Sequence, residues 1–246
     1  AYIDKTIPTA GISYPSGMLT SATFTVTLTE SDTGGSGLAS GRVELSTDAG
    51  GWAYYTTTIN DFTYTGSPGH SYQFRYQTTD GAGNLSTWAT GLTATINRAP
   101  NTPTLKAPPD NTWINYNPTF TATVADPDTG QTVKALFDYN SDGSVDCTPA
   151  ALVASGSDST CAYTFPDTSG TSWRAKAQDS LGAESAWSGS WTLKKDTVAP
   201  VARLTVSPTG WTNGNPTWDW STSSDDRSGL RSPSRYYYYL DGVAQG

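Results

Sequence analysis

The chain has 246 residues, a formal net charge of −8 at pH 7 and only 15% charged residues. This acidic balance argues against nucleic acid or anionic lipid as a partner, because phosphate-rich surfaces attract a basic face that the composition lacks. No apolar run approaches the roughly 20 residues of a membrane-spanning helix, so we expect no membrane insertion. Abundant Thr, Ser, Tyr and Trp favour β-structure, since branched and aromatic side chains suit a pleated sheet.

Alternating side chains predict the strands in chain order. Residues 22–28 alternate apolar side chains with Thr, which is typical of a half-buried strand. Residues 72–78 alternate aromatic with polar side chains in the same way, and residues 119–124 and 217–221 copy the first strand further along the chain. Gly, Asp, Asn and Pro lie between these segments, where they favour turns. No helical period is present, so the prediction is an all-β chain.

The sequence repeats itself with a period of about a hundred residues. The first ending motif contains Asp80, Gly83 and Trp88, and its members recur 99 positions later as Asp179, Gly182 and Trp187. The openings Asp4–Pro8 and Ser36–Leu38 recur two periods later as Asp196–Pro200 and Ser228–Leu230. Short strands with turn residues between them, repeated in this way, predict tandem two-sheet β-sandwiches.

The repeat also predicts the domain boundaries. We expect one sandwich over residues 1–97, a second over 98–196 and an incomplete third over 197–246. Both joints contain proline, which fixes the backbone angle φ and removes a hydrogen-bond donor. These linkers are therefore expected to be extended.

Several of these motifs resemble those of the immunoglobulin-like and fibronectin type III-like repeats of large bacterial surface and secreted proteins. The resemblance rests on Asp4–Pro8, Ser36–Leu38, Tyr64–Arg75 and Asp80–Trp88. It implies an immunoglobulin-like β-sandwich fold and no particular activity. It also implies a corner in which the Tyr72 hydroxyl bonds back to the main chain.

Two cysteines, Cys147 and Cys161, lie in the second predicted sandwich. The simplest interpretation is a disulfide across a short loop, which would stabilise the fold by about 3 kcal/mol. It would also indicate an oxidising compartment, and therefore a secreted or cell-surface protein. Two buried free thiols are the alternative.

The sharpest local motif is residues 138–146, which read D-x-N-x-D-G-x-x-D. Alternate acidic and amide oxygens on a loop turned by glycine are what calcium requires, and the spacing matches the first part of an EF-hand loop. The bidentate Glu of that loop is missing, since Pro149 stands in its place. The candidate ligands are Asp138, Asn140, Asp142, Asp146 and the carbonyl of Ser144. The alternative is a polar turn whose side chains serve only the backbone.

Exposed aromatic side chains suggest a surface on which sugars could stack. The candidate ligand-binding residues are Trp52, Tyr54, Tyr55, Tyr236, Tyr237, Tyr238 and Tyr239. Trp88 and Trp187 occupy equivalent positions of the repeat, which indicates a scaffold role for them.

Catalytic chemistry finds little support in the sequence. The lone His70 lies in a Pro-Gly-His-Ser turn, where a solvated side chain is expected, and no second His is present from which a triad could be assembled. We therefore predict a non-enzymatic, extracellular array that serves as a stalk, adhesin segment or filament subunit, with other copies or neighbouring repeats as its partners. The alternative function is an accessory carbohydrate-binding or spacer module of a secreted polysaccharide-degrading enzyme, with glycans as the partner.

Overall fold

A computed structural model describes residues 3–207, 209–210, 213–214, 217–219, 221, 223–230, 238–240 and 243–245. All named secondary-structure elements within these residues are β-strands, so the predicted all-β fold class is confirmed. No helix among them could span a membrane. The chain divides into two compact units. The first holds residues 1–101, 126–132 and 178–184, and the second holds residues 102–125, 133–177 and 185–246.

Nine strands form the first sandwich: β1 (Thr9–Ser13), β2 (Gly17–Leu19), β3 (Thr23–Ser31), β4 (Leu38–Thr47), β5 (Ala53–Thr57), β6 (Phe62–Thr65), β7 (Ser71–Asp80), β8 (Ala89–Thr90) and β9 (Ala94–Ile96). One sheet has the order β1-β3-β6, and the other has the order β2-β9-β7-β4-β5 with β8 paired to β7. The short strand β2 runs parallel to β9, whereas the other pairs are antiparallel. The first strand segment is thus divided between the two sheets.

The core of the first sandwich is aromatic. Strand β7 alternates between buried and half-buried residues along its whole length, so Tyr72, Phe74 and Tyr76 face inward as the alternation predicts. Phe24 and Val26 of β3 approach them from the other sheet. Phe74 is fully buried and meets the ring of Phe24 edge-on at 6.4 Å between centroids. Such tilted ring pairs stabilise beyond their buried area.

The corner implied for Tyr72 is present. The Tyr72 hydroxyl accepts a hydrogen bond from the backbone N–H of Ser67 at 2.7 Å. Gly66 lies against the Tyr72 ring, and a Cβ at that position would come within 2.4 Å of the ring. A larger residue would therefore displace the ring from the corner.

Eight strands form the second sandwich: β10 (Thr104–Ala107), β11 (Thr112–Ile114), β12 (Thr119–Val124), β13 (Thr132–Asp138), β14 (Val153–Ala154), β15 (Ser157–Ala162), β16 (Thr168–Asp179) and β17 (Trp191–Lys195). Its sheets have the orders β10-β12-β15 and β11-β17-β16-β13-β14, which repeats the topology of the first sandwich. Strand β11 is parallel to β17, in the place of β2 and β9. The repeat seen in the sequence is therefore a repeat of topology.

The predicted disulfide between Cys147 and Cys161 is confirmed, with 6.5 Å between the two Cα atoms. Cys161 lies in β15 of the three-stranded sheet, and Cys147 forms an isolated bridge with Phe137 of β13 in the other sheet. The bond therefore links the two sheets. Beside it, Trp173 is fully buried and packs edge-on against Phe120 at 4.9 Å between centroids.

The third predicted sandwich is described in part. Strands β18 (Thr205–Ser207) and β19 (Thr217–Asp219) form one antiparallel pair, and β20 (Tyr238–Leu240) and β21 (Val243–Gln245) form another.

Candidate functional site

The outer face of the larger sheet in the first sandwich carries a cluster of aromatic and charged side chains, here called the aromatic face. It comprises Trp52, Tyr54, Trp88, Arg42, Glu44 and Arg75. Arg75 lies between two indole rings, with its guanidinium carbon 4.6 Å from the centroid of Trp52 and 4.3 Å from that of Trp88. Desolvated cation–π contacts of this kind contribute about 1–2 kcal/mol each.

A buried carboxylate holds the Arg75 guanidinium in position. Glu44 lies opposite Arg75 in the pairing of β4 with β7, and its carboxylate accepts a hydrogen bond from Arg75 Nε at 2.7 Å. Burial raises the pKa of Glu44, but the hydrogen bond and charge of Arg75, with a second contact from Arg42, lower it overall. Glu44 is therefore a charged anchor, and the two Trp rings are ordered around the cation that it holds.

Strand alternation separates the predicted ligand-binding residues of this region. Tyr54 lies on the aromatic face, where it is 60% exposed and has Arg42 at 5.8 Å from its ring centroid. Tyr55 points to the opposite side and packs against Phe62 and Phe74 at the edge of the core. The inward faces of Trp52 and Trp88 are occupied by Arg75. Tyr54 is therefore the member of this set with the most surface available to a ligand.

The second sandwich repeats the arrangement with different members. Arg174 lies 4.7 Å from the ring centroid of Trp187, and its Nε donates to the Asp138 carboxylate at 3.0 Å. Lys176 approaches the same ring at 4.9 Å. Asp138, which is completely buried, thus does for Arg174 what Glu44 does for Arg75. Trp88 and Trp187, for which a scaffold role was predicted, thus each pack against an arginine, Arg75 and Arg174 respectively.

The acidic loop at residues 138–146 is organised by hydrogen bonds among its own members. Asp138 accepts backbone N–H bonds from Asp142 and from Gly143, the latter at 2.9 Å. Asp146 accepts the N–H of Tyr139 at 2.6 Å, and the Asn140 side chain donates to Asp142 at 2.9 Å. The backbone N–H of Ser144 donates to Asp142 at 2.7 Å. Calcium binding here stays a prediction, and a cation would have to compete with Arg174 for Asp138.

A second acidic arrangement, the entry cluster, joins three parts of the first sandwich. Asp4, near the start of the chain, accepts the backbone N–H of Ser36 at 3.0 Å. Asp32 accepts N–H bonds from two glycines of the same loop. Asp80, at the end of β7, accepts from Asn84, whose side chain reaches the Asp4 carbonyl at 3.2 Å. Hydrogen bonding from Ser36 keeps the pKa of Asp4 below its ordinary value.

The entry cluster recurs in the third module. Asp196 accepts the N–H of Ser228 at 2.9 Å, and Asp225 accepts the N–H of Gly229 at 2.9 Å. The backbone hydrogen bond from Ser228 lowers the pKa of Asp196. In each copy three carboxylates offer oxygens within 4.8 Å of one another: Asp4, Asp32 and Asp80, and Asp196, Asp225 and Asp226. Backbone donors already serve both clusters, so we assign no cation to them. The recurring openings in the sequence were the signal for these contacts.

The remaining predicted aromatic residues give no site geometry. Tyr236 and Tyr237 lie outside the described residues. Tyr238 and Tyr239 belong to β20, where Tyr239 pairs with Ala244. Their predicted ligand-binding role stays a prediction.

Comparison with known proteins finds similarity to solved structures alone, at low sequence identity. No family model and no curated protein matches it. It is similar to the fibronectin(III)-like modules of CbhA from Clostridium thermocellum, with 16% identity, coverage of 76% of this chain and 94% of that one, and a TM-score of 0.35. The FN1–FN3 domains of chicken CNTN1 are 13% identical, with coverage of 81% of this chain and 70% of that one and a TM-score of 0.33. Murine CEACAM1b is 14% identical, with coverage of 76% of this chain and 100% of that one and a TM-score of 0.37. The strand order and registers carry the fold assignment.

Proposed function

We propose that the chain is a structural array of β-sandwich modules in an extracellular or cell-surface protein, where it serves as a spacer or adhesive segment. The observation that carries the proposal is the role of the recurring residues. Arg75 and Arg174 order a tryptophan on their own sheet. Asp4 and Asp196 each tie the start of their module to a later loop, by accepting the N–H of Ser36 and of Ser228. The residues that recur along the chain thus hold together the modules in which they occur, which is what an array needs from its repeated units.

The disulfide supports the proposed location. Cys147 and Cys161 link the two sheets of the second sandwich, and such bonds persist in oxidising compartments. A spacer exposed to the medium gains stability from this link without needing a larger core.

Sedimentation and retention measurements test this function. The chain, incubated with insoluble cellulose, chitin and xylan, is expected to stay in the supernatant like an unrelated β-sandwich. An adhesive role through other copies predicts that the sedimentation coefficient rises with protein concentration, whereas a spacer predicts a constant one. Retention on a polysaccharide would contradict the purely structural role.

Glycan binding by the aromatic face is the second candidate function. Tyr54 is 60% exposed on the aromatic face, and exposed aromatic rings suit the stacking of sugar rings. If a polysaccharide retains the chain, Tyr54→Ala is expected to release it. Tyr116→Ala is the matched control, since Tyr116 is similarly exposed at 56% and lies outside the aromatic face. Equal loss in both variants would argue against a specific site.

Calcium at residues 138–146 is part of the proposal and has its own test. We expect added calcium to raise the melting temperature of the second sandwich, because binding to the folded state alone stabilises it. Asp142→Asn is expected to remove the rise, since Asp142 is a predicted ligand that makes no ion pair with Arg174 in the described contacts. A melting temperature that calcium leaves unchanged would identify the loop as a polar turn.

A further inference from the structure

A buried lysine of the second sandwich lies against an asparagine side chain. Lys195, the last residue of β17, is 5% exposed, and among the described residues it is the only lysine or arginine in the buried class. Its Nζ donates to Asn117 Oδ1 at 2.8 Å and to the carbonyl of Phe165. A carboxylate oxygen of Asp167 lies 3.8 Å from the same nitrogen. The Lys195 amine therefore contacts a carboxamide oxygen directly and has a carboxylate oxygen within ion-pair distance.

Comparison of the two sandwiches shows that this lysine replaces an apolar core residue. In the first sandwich the parallel pairing of β2 with β9 places Leu19 opposite Ile96, and Ile96 is 2% exposed. In the second sandwich the equivalent pairing of β11 with β17 places Ile114 opposite Lys195. Burying an ammonium group costs several kcal/mol even when it is paired, and an apolar residue of similar volume usually serves stability equally well. Packing alone therefore gives no reason for lysine at this position.

The geometry points to a chemical use for the pair. We propose that Lys195 and Asn117 form a modification site in which Lys195 Nζ attacks the side-chain carbonyl carbon of Asn117 and ammonia leaves, so that an amide bond joins the two side chains. The amide carbon lies one C=O bond beyond the oxygen that the amine already contacts. Asn117 is exposed and lies between β11 and β12, so the ammonia can leave to solvent. The proposal is independent of the proposed function, since it concerns only this chemistry.

The step balances without an outside reagent. Asp167 takes a proton from the lysine ammonium, and the free amine forms the new C–N bond. A second proton leaves the attacking nitrogen and reaches Asn117 Nδ2 through the carboxylic acid, so the old C–N bond breaks and ammonia departs. The ammonia then takes the remaining proton from Asp167 and leaves as ammonium. No atom is oxidised or reduced, and the sum is one lysine and one asparagine converted to one amide and one ammonium ion.

Asp167 is held in place for proton transfer. Thr197 donates to it from its backbone N–H at 3.0 Å and from its hydroxyl at 2.9 Å. The backbone bond from Thr197 lowers the pKa of Asp167, so taking a proton from lysine is unfavourable and the reaction is expected to be slow. The bond would connect residues 78 positions apart and close the second sandwich into a covalent ring.

Intact-mass spectrometry of the purified full chain, incubated folded until the mass is constant and then reduced at the disulfide, tests the proposal directly. The expected mass is about 17 Da below that of the sequence, the loss of one ammonia. Cyclisation at Asn213-Gly214 would also lose ammonia, so the deciding observation is a branched peptide that contains Lys195 and Asn117 after proteolysis. The full sequence mass, or a loss located at Asn213, would overturn the proposal.

Variants assign the roles of the three groups. Lys195→Arg keeps the charge but lacks the nucleophile, and Asn117→Ala lacks the carbonyl, so both are expected to keep the full mass. Asp167→Asn is expected to slow the loss at least tenfold. Lys194→Arg, one residue away, is the matched control and should react like the parent. Since a variant could fail to fold, wild-type chain kept unfolded in denaturant serves as a second test: it is expected to form no branched peptide, and formation there would contradict a site built by the fold.

Discussion

The two complete sandwiches have the same strand order but hold their sheets together differently. The first relies on an aromatic core around Phe74 and on the Tyr72 corner. The second places Trp173 at the centre, adds the disulfide and buries Lys195 where the first has Ile96. The pattern of strands and turns therefore sets the topology, whereas the contacts that hold the two sheets together differ between the modules.

The largest expected effect comes from placing a lysine at position 96 of the first sandwich, the counterpart of Lys195 in the second. Ile96→Lys should lower the free energy of unfolding of the first sandwich by about 3–5 kcal/mol, because it buries a charge among apolar residues. Ile96→Val is the control, with an expected loss of about 1 kcal/mol. Hydrogen exchange of the β7 amides, measured as a function of denaturant concentration, gives the change in unfolding free energy for both variants. A variant as stable as Ile96→Val would show that the position tolerates lysine without the second sandwich's polar partners.

Removal of the disulfide should affect one sandwich and spare the other. Replacing Cys147 and Cys161 by Ser is expected to cost the second sandwich about 3 kcal/mol, since the cross-link restricts the unfolded chain. Hydrogen exchange in β16 reports the loss, and β7 serves as the internal control. Equal destabilisation of both strands would show that the two sandwiches do not unfold independently.

The tyrosine corner gives a smaller effect confined to the first sandwich. Tyr72→Phe removes the acceptor for the Ser67 N–H while it keeps the ring, and we expect a loss of about 1 kcal/mol. Tyr54→Phe is the control, because the Tyr54 hydroxyl forms an exposed hydrogen bond with the Thr57 hydroxyl. Chemical denaturation of the two variants side by side checks the difference. Identical stabilities would show that the corner hydrogen bond contributes nothing net.

The smallest expected effect is on the entry clusters at low pH. The pKa values of Asp4 and Asp196 lie below the ordinary aspartate value of 3.8. Hydrogen bonding from Ser36 lowers the pKa of Asp4, and the backbone hydrogen bond from Ser228 lowers that of Asp196. A lowered folded-state pKa means that the contribution to stability is present above the unfolded value and is lost as pH falls through the folded one. The amide resonances of Ser36 and Ser228 should therefore titrate below pH 3.8. Titration at or above that value would contradict this.

The fold and part of the candidate site could be predicted from the amino-acid sequence. Alternation identified strands such as β3 and β7, and the spacing of turn residues and the repeat identified sandwiches. The disulfide followed from two cysteines in one module. Equivalent positions also marked Trp88 and Trp187 as scaffold residues. These features could be predicted because they depend on local periodicity and on short-range spacing.

The all-β class, the repeat and the disulfide could be predicted from the amino-acid sequence, because each depends on a pattern within a short stretch of chain. The contacts of Asp138 with Arg174 and of Lys195 with Asn117 emerged only from the folded arrangement of the strands. These contacts join residues that are far apart in the sequence, and their partners follow from sheet order and register. Register depends on the summed packing of many side chains, which no single motif reveals.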